Sequence, residues 1–171
     1  MIVGLIPLSQ GKYTIVDLID YERLAQKKWY YNKGYAVRNI YHEGKSLGLV
    51  YMHREILLPG SYQEVDHIDG NGLNNLRNNL RPATRKENSR NRIKLNSNNT
   101  SGYRGVYERY GKWIAQISIN NEMHHIGTFN DKAEAAAAYN EVAKKHYGEF
   151  ASLNEIPELV SRDNLSEVSN G

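Results

Sequence analysis

The sequence predicts an α+β protein, because short strand-like runs alternate with only a few helical segments along the chain. The chain has 171 residues, of which 40% are hydrophobic and 24% are charged, a composition typical of globular domains with modest cores. A polar segment rich in Asn and Ser, at 96–101, has the composition of a linker. We therefore expect a β-rich leader over 1–50, a central module over 51–95, this linker, a second module over 102–154 and a tail over 155–171.

The sequence also excludes several classes of protein. With no cysteine, the chain cannot form disulfides, thiolate zinc sites or a cysteine nucleophile. Its apolar stretches are far too short to cross a bilayer, and it has no pattern of a secretory signal. We expect no membrane partner, and a reducing interior suits such a chain.

The charges are distributed unevenly. The formal net charge is only +3, but residues 77–112 contain ten Lys and Arg against two Glu, while residues 131–171 contain four basic and eight acidic residues. A basic middle segment of net +8 indicates a polyanionic partner, and the alternative is an ordinary solvated surface.

The leader contains one strand and one helix that its pattern predicts directly. Alternation over 12–17 predicts a strand, and 20–28 predicts a short helix with Leu24 facing inward. The aromatic residues at 29–31 and Tyr35 favour core packing, and the alternative is stacking on bases.

The central module has the pattern strand, loop, strand, helix. Residues 64–67 resemble a strand that reaches a turn, and residues 69–72 are rich in turn formers. Thr84 and Glu87 have the spacing of a capping box, so a basic helix should follow and continue through 92 or 94.

Four polar residues of this module can support phosphodiester hydrolysis. His67 can accept a proton from water near neutral pH, and Asp66 can hold a hard divalent cation such as Mg²⁺. Asn88 offers a second oxygen ligand from the helix, and Asn79 can hydrogen-bond across the loop and orient the imidazole. The surrounding cations would bind the phosphate backbone: Arg77, Arg81, Arg85, Lys86, Arg90 and Arg92. The alternative is a structural Asp-His pair with asparagines that cap turns.

This segment resembles a known motif. Val65-Asp66-His67-Ile68-Asp69-Gly70-Asn71, followed by Asn74-Asn75, Asn79-Leu80-Arg81, Ala83-Thr84 and Glu87-Asn88, resembles the HNH nuclease motif of phage and intron homing endonucleases. The resemblance extends from about Met52 to Arg92. It implies a ββα-metal fold, two strands and a helix around one metal ion.

The resemblance also implies roles for individual residues. Asp66 and Asn88 would ligate the metal, His67 would be the general base, and Asn79 would orient it. Many relatives have histidine at the last metal position, so asparagine there favours one Mg²⁺ or Mn²⁺ per site over zinc or nickel. His53 also lies in a segment, Met52-His53-Arg54, that resembles relatives. We predict that it supports the site or contacts phosphate, and the alternative is a structural histidine with satisfied hydrogen bonds.

The second module should contain three antiparallel strands and a helix. The strand-like runs are 103–109, 113–119 and 122–129, and residues 131–147 predict a helix with an alanine run. The sheet carries Lys112 among other basic and aromatic residues, so it can enter a DNA major groove or simply be a half-buried sheet with a polar face.

The order of residues in this module resembles the Apetala-two/ethylene-response-factor (AP2/ERF) DNA-binding domain over about 99–154. The motifs are Tyr103-Arg104-Gly105-Val106, Gly111-Lys112-Trp113-Ile114-Ala115-Gln116-Ile117, Ile126-Gly127-Thr128-Phe129, Glu134-Ala135-Ala136, Ala138-Tyr139 and the run 148–154. By position, the resemblance implies DNA contacts from Arg104, Gly105, Tyr107, Arg109, Gln116, Ser118 and His125. Tyr107 and Ser118 replace arginines that plant members usually have, so only the docking mode is implied and not the target sequence.

Together these features predict a site-directed HNH endonuclease that binds double-stranded DNA, with no protein partner evident. The composite resembles proteins of phages and their bacterial hosts, which implies a cytoplasmic location in a bacterial cell or a phage-infected host. The alternatives are a non-catalytic DNA-binding regulator with a degenerate HNH fold, and an RNA-binding protein.

Overall fold

The computed structural model describes residues 2–91 and 95–157, and the chain divides into two compact units between residues 94 and 95. Each unit mixes helices with small, mostly antiparallel sheets, which confirms the α+β prediction. None of the helices in these two ranges is both long enough and apolar enough to cross a membrane.

The described part of the N-terminal unit contains three small sheets and three α-helices. The elements are β1 (Val3–Pro7), β2 (Tyr13–Asp17), α1 (Leu18–Ala25), β3 (Tyr30–Asn32), β4 (Tyr35–His42), β5 (Lys45–Tyr51), α2 (Met52–Leu57), β6 (Glu64–His67), β7 (Asn74–Asn75), β8 (Leu80–Ala83) and α3 (Arg85–Arg90). The strand orders of the sheets are β1-β2-β7, β3-β4-β5 and β6-β8. All neighbouring strands are antiparallel except β2 and β7, which run parallel.

The leader and the central module share one hydrophobic core. Val16 and Leu24 from the leader are fully buried in the same cluster as Met52, Val65 and Leu80 from the central module. Burial of such side chains contributes about 1.5–3 kcal/mol each, so the strands of the motif depend on the leader for their stability.

The predicted leader elements are present with small shifts in their ends. The strand predicted over 12–17 is β2, and the helix predicted over 20–28 is α1, with Leu24 completely buried as expected. Trp29 is buried and donates its indole N–H to the Leu24 carbonyl at 2.9 Å, as core packing requires. Tyr35 departs from this prediction, since it is 38% exposed.

Helix α3 begins with the predicted capping box. The Thr84 hydroxyl accepts the backbone N–H of Glu87, and the Glu87 carboxylate accepts the backbone N–H of Thr84 at 2.8 Å. The helix spans six residues and ends at Arg90; residues 92–94, into which we predicted its continuation, lie outside the described residues.

The C-terminal unit is a three-stranded antiparallel sheet covered by one long helix, as predicted. The elements are β9 (Val106–Arg109), β10 (Lys112–Ile119), β11 (Glu122–Phe129) and α4 (Lys132–Tyr147), with β10 in the centre of the sheet. Asp131 caps α4 through the backbone N–H groups of Ala133 and Glu134. Ala135 and Ala136 are fully buried, so the small side chains of the alanine run let the helix approach the sheet closely.

Gly105 is required where the sheet meets this helix. Its φ is +70°, and a Cβ there would lie 2.3 Å from the Tyr139 ring and 2.5 Å from the Gln116 carbonyl oxygen. Gly105→Ala should therefore destabilise the C-terminal unit by about 2 kcal/mol or more, because both the crowding and the left-handed backbone oppose a side chain. Hydrogen exchange of the β10 amides measures this loss.

Gly111 supplies the matched control. Its φ is +72°, but no atom lies within 4 Å of the position of a Cβ. Gly111→Ala should cost only the backbone strain of about 1–2 kcal/mol. Equal losses for the two variants would show that the contact with Tyr139 contributes nothing.

Candidate active site

Asp66 and His67 form the end of β6, next to β8 and helix α3. The register pairs Asp66 with Arg81 and His67 with Leu80. Asp66 is 4% and His67 5% exposed, yet both line one cavity of about 700 Å³ together with Asn88. The strand pair and the helix therefore bring three of the four predicted chemical groups onto one cavity.

The Asp66 carboxylate is held by two partners. Arg81 donates to its Oδ2 from Nε at 2.9 Å and from a terminal nitrogen at 2.7 Å. The Asn91 amide donates to both carboxylate oxygens at 3.0–3.1 Å and to the His67 carbonyl oxygen at 2.9 Å. These bonds hold the buried Asp66 carboxylate in place and fix the backbone at His67.

Two arginines that we predicted on DNA phosphates form ion pairs with buried carboxylates in this fold. Arg81 is 9% exposed and pairs with Asp66. Arg77 donates to both oxygens of the buried Asp20 at 2.7 and 2.9 Å. Their sequence positions gave no sign of these acidic partners, because Asp20 lies 57 residues away from Arg77.

Asn88 is oriented by a partner on β6. Its amide nitrogen donates to the Glu64 carboxylate at 2.6 Å, so its Oδ1 is left as an acceptor on a residue that lines the cavity. The Asp66 carboxylate lines the same cavity. Two hard oxygen donors on one cavity suit Mg²⁺ or Mn²⁺, and within 2–91 and 95–157 no cluster of three or more His, Asp or Glu offers a richer site.

The imidazole of His67 is bonded to Asn75 and not to Asn79. Nε2 lies 3.2 Å from the Asn75 Oδ1, and both side chains are buried. Asn79 instead secures the loop after His67: its Oδ1 accepts the backbone N–H of Asp69 at 3.1 Å, and its amide donates to Asp69 and to the Asn74 carbonyl. Asn79 therefore bonds across the loop that follows His67, whereas Asn75 makes the direct contact with the imidazole.

Burial lowers the pKa of His67, although Asn75, Asp69 and Asp66 oppose that shift. The imidazole is consequently neutral at pH 7, the form in which a general base must be. Burial raises the pKa of Asp69, but its hydrogen bonds with Asn71, Asn74 and Asn79 outweigh this effect and lower it overall.

His53 lies directly against His67. The two rings are 4.9 Å apart and nearly perpendicular, and Tyr35 and Tyr51 complete a cluster of four rings. Burial and then the nearby charges of His67 and Arg54 lower the pKa of His53 to about 3. A neutral, buried ring therefore packs against the imidazole from one side, and the role of His53 as site support stays a prediction.

The remaining cations of the motif differ in exposure. Arg85 and Lys86 are exposed at the start of α3, Arg90 is half-buried, and Arg92 lies outside the described residues. Arg85 also lines the cavity, so it is near enough to contact a phosphate that enters there.

The predicted DNA contacts of the C-terminal unit share one face of the sheet. The register places Tyr107 opposite Ile114, Arg109 opposite Lys112, and Gln116 opposite His125, while the alternate residues Ala115 and Ile117 are buried on the helix side. The outer face therefore carries six of the predicted residues: Tyr107, Arg109, Lys112, Gln116, Ser118 and His125.

Arg104 and Gly105 precede this sheet. The backbone of Arg104 is tied to Asn154, which accepts its N–H at 2.6 Å and donates to its carbonyl at 3.1 Å. The Gly105 carbonyl accepts the N–H of Gln116 at 2.8 Å. Both residues thus directly precede β9.

Sequence reasoning missed three polar residues of the site. Glu64 and Asn91 orient Asn88 and Asp66, and Asn75 contacts the imidazole. Asn75 lies within the quoted motif, which was the one signal that pointed to it; Glu64 and Asn91 flank the motif and resemble ordinary surface residues.

Comparison with known proteins agrees with this geometry. The family described as HNH endonuclease matches residues 58–90. The chain is 36% identical over 155 residues to an uncharacterized HNH endonuclease, L560, of Acanthamoeba polyphaga mimivirus, covering 86% of this chain and 78% of the relative. This chain belongs to the HNH endonuclease family. The segment of this HNH nuclease that matches the family contains Asp66, His67, Asn79 and Asn88.

Two further relatives cover parts of this HNH endonuclease. Protein 3.8 of Escherichia phage T7 is 34% identical over 96 residues, which are 55% of this chain and 77% of that protein. Dehydration-responsive element-binding protein 2C of Arabidopsis thaliana is 40% identical over 75 residues, 42% of this chain and 22% of that protein. The second similarity supports the fused domain of the AP2/ERF type.

Proposed function

We propose that this HNH endonuclease is a metal-dependent, homing-type enzyme that cuts double-stranded DNA at sites selected by its C-terminal sheet. The observation that carries the proposal is the placement of Asp66, His67 and Asn88 on one cavity, with a neutral imidazole beside two hard oxygen donors. Asparagine in place of histidine at position 88 favours Mg²⁺ or Mn²⁺ and supports the likeness to the homing branch.

The hydrolysis proposed here uses His67 as the base. His67 accepts a proton from a water molecule, whose oxygen bonds to phosphorus while the bond from phosphorus to the 3′ oxygen breaks. The 3′ oxygen takes a proton from solvent, which gives a 3′-hydroxyl and a 5′-phosphate. A cation held by Asp66 and Asn88 would supply stabilisation of the charge that develops on the phosphate oxygens.

The C-terminal sheet would place the cut. Its outer face presents cationic and hydrogen-bonding side chains side by side, Arg109 with Lys112 and Gln116 with His125. Such groups read base edges in a major groove, and joining this unit to the nuclease raises the local concentration of DNA at the active site. A DNA substrate also suits the cytoplasm of a bacterial cell or a phage-infected host.

Supercoiled plasmid tests the reaction. With Mg²⁺ the parental chain should convert supercoiled plasmid into nicked circles first, because one site per chain cuts one strand per event. EDTA should stop the reaction and fresh Mg²⁺ or Mn²⁺ should restore it. Gel electrophoresis over time separates the supercoiled, nicked and linear forms.

Two results would contradict the proposal. Nicking that continues in metal-stripped buffer with EDTA would show that cleavage does not require a cation. Binding to plasmid without any cleavage in Mg²⁺ or Mn²⁺ would instead indicate a DNA-binding regulator. Competition with duplex RNA, which we expect to be weak, checks the choice of DNA.

A further inference from the structure

A line of buried hydrogen bonds connects the leader to the imidazole of His67. The Thr14 hydroxyl lies 2.7 Å from the Leu73 carbonyl, the Asn75 amide nitrogen lies 2.7 Å from the Thr14 hydroxyl oxygen, and the Asn75 Oδ1 lies 3.2 Å from the His67 Nε2. Thr14 and Asn75 have no exposed surface. No solvent therefore competes for these bonds.

Only one direction of donation is possible along this line. A carbonyl oxygen cannot donate a hydrogen bond. The Thr14 hydroxyl must therefore donate its hydrogen bond to the Leu73 carbonyl and accept one from the Asn75 amide. The Asn75 amide nitrogen also faces the Gly72 carbonyl at 3.4 Å, a second acceptor, which fixes the orientation of the amide. The atom that Asn75 presents to His67 is thus its carbonyl oxygen.

From this geometry we infer that Asn75 and Thr14 are positioning residues that hold His67 in the tautomer with its proton on Nε2. An amide oxygen has no proton, so the bond to Nε2 exists only when that nitrogen carries one. The lone pair is then on Nδ1, the nitrogen left to accept a proton from water. This inference rests on the proposed function only where it assigns a catalytic role to Nδ1 of His67.

Through Thr14, the leader takes part in positioning the His67 imidazole. Thr14 lies on β2, and β2 pairs in parallel with β7, which carries Asn75, with Val16 opposite Asn75. Asn79, the expected orienting residue, fixes the loop backbone. The tautomer of His67 is instead controlled through Thr14, which lies 61 residues before Asn75 in the sequence.

The tautomer can be measured without any nuclease activity. In the full chain labelled with ¹⁵N-histidine, at pH 8 in EDTA, the ring nitrogens of His67 should show a pyrrole-like Nε2 and a pyridine-like Nδ1. Thr14→Val keeps the side-chain shape and removes the hydroxyl, so the spectrum should move toward a mixture of tautomers. Thr14→Ser keeps the hydroxyl and should restore the parental spectrum.

Cleavage gives the second measurement. Under single-turnover conditions with Mg²⁺, Asn75→Leu should lower the nicking rate by about 10–100-fold and Thr14→Val by about 10-fold, with unchanged DNA affinity. Thr14→Ser should nick near the parental rate. Asn78, an exposed asparagine of the same segment, is the matched control, and Asn78→Leu should leave the rate unchanged.

The outcomes separate this inference from the proposed function. A parental spectrum with the proton on Nδ1 overturns the inference, and so does a folded Thr14→Val variant whose spectrum and rate are both parental. A parental chain that never nicks DNA overturns the proposed function, while the spectrum still decides the tautomer. If Asn75→Leu does not fold, as judged by circular dichroism, the two Thr14 variants decide the question.

Discussion

Replacing His67 with alanine should reduce the rate of plasmid nicking by about 10²–10⁴-fold, the usual contribution of a general base. The cause is loss of the neutral imidazole that lines the cavity beside Asp66 and Asn88. DNA affinity should remain near the parental value, because the exposed cations of α3 and of the C-terminal sheet are unchanged. A gel-shift titration and a single-turnover nicking assay measure the two quantities separately.

His42 is the matched control for this variant. Its side chain is 74% exposed and lies at the end of β4, away from the residues that line the cavity. His42→Ala should nick at the parental rate. A His67→Ala protein that cuts as fast as its parent would show that another group removes the proton from water.

Replacing Asp66 with alanine should cost both stability and activity. The Arg81 guanidinium is buried to about nine-tenths and would lose its carboxylate partner, a change that typically destabilises a protein by about 3–5 kcal/mol. The same substitution removes the proposed ligand of the cation, so we expect nicking to fall to background. Urea unfolding followed by circular dichroism measures the free energy.

Asn88→Ala separates these two effects. Asn88 is half-buried and donates to Glu64, so its loss should cost only about 0.5–1.5 kcal/mol while nicking still falls. Adding Arg81→Met to Asp66→Ala should recover much of the stability and none of the activity, because the buried guanidinium is then removed together with the carboxylate that it pairs with. If Asp66→Ala is as stable as Asn88→Ala, the Arg81 pair makes no net contribution.

The elements of the fold that rest on local chemistry could be predicted from the sequence. The capping box of Thr84 and Glu87 lies within four residues, and the strand alternation around Val16 repeats every second residue, so both signals are complete in a short window. The residues of the outer face of the C-terminal sheet were implied by the AP2/ERF resemblance, and the strand register places Gln116 and Ser118 on that same side.

The connections of the candidate site could not be predicted in this way. Asn75 needs Thr14, and Arg77 needs Asp20, from about sixty residues earlier. Nothing in the neighbourhood of these residues indicates the partner, because the partner is chosen by the packing of the whole N-terminal unit. An arginine that balances a buried carboxylate and one that binds a phosphate look the same in a sequence.

The core shared by the leader and the nuclease motif constrains how such a gene can be rearranged. A crossover at residue 50 would separate Val16 and Leu24 from Met52 and Val65, and each half would inherit an incomplete interior. A crossover at the boundary between residues 94 and 95 exchanges the whole C-terminal unit and leaves that interior intact. We therefore expect exchanges of the C-terminal unit to be tolerated best at the second boundary, where the first ninety or so residues are inherited as one block.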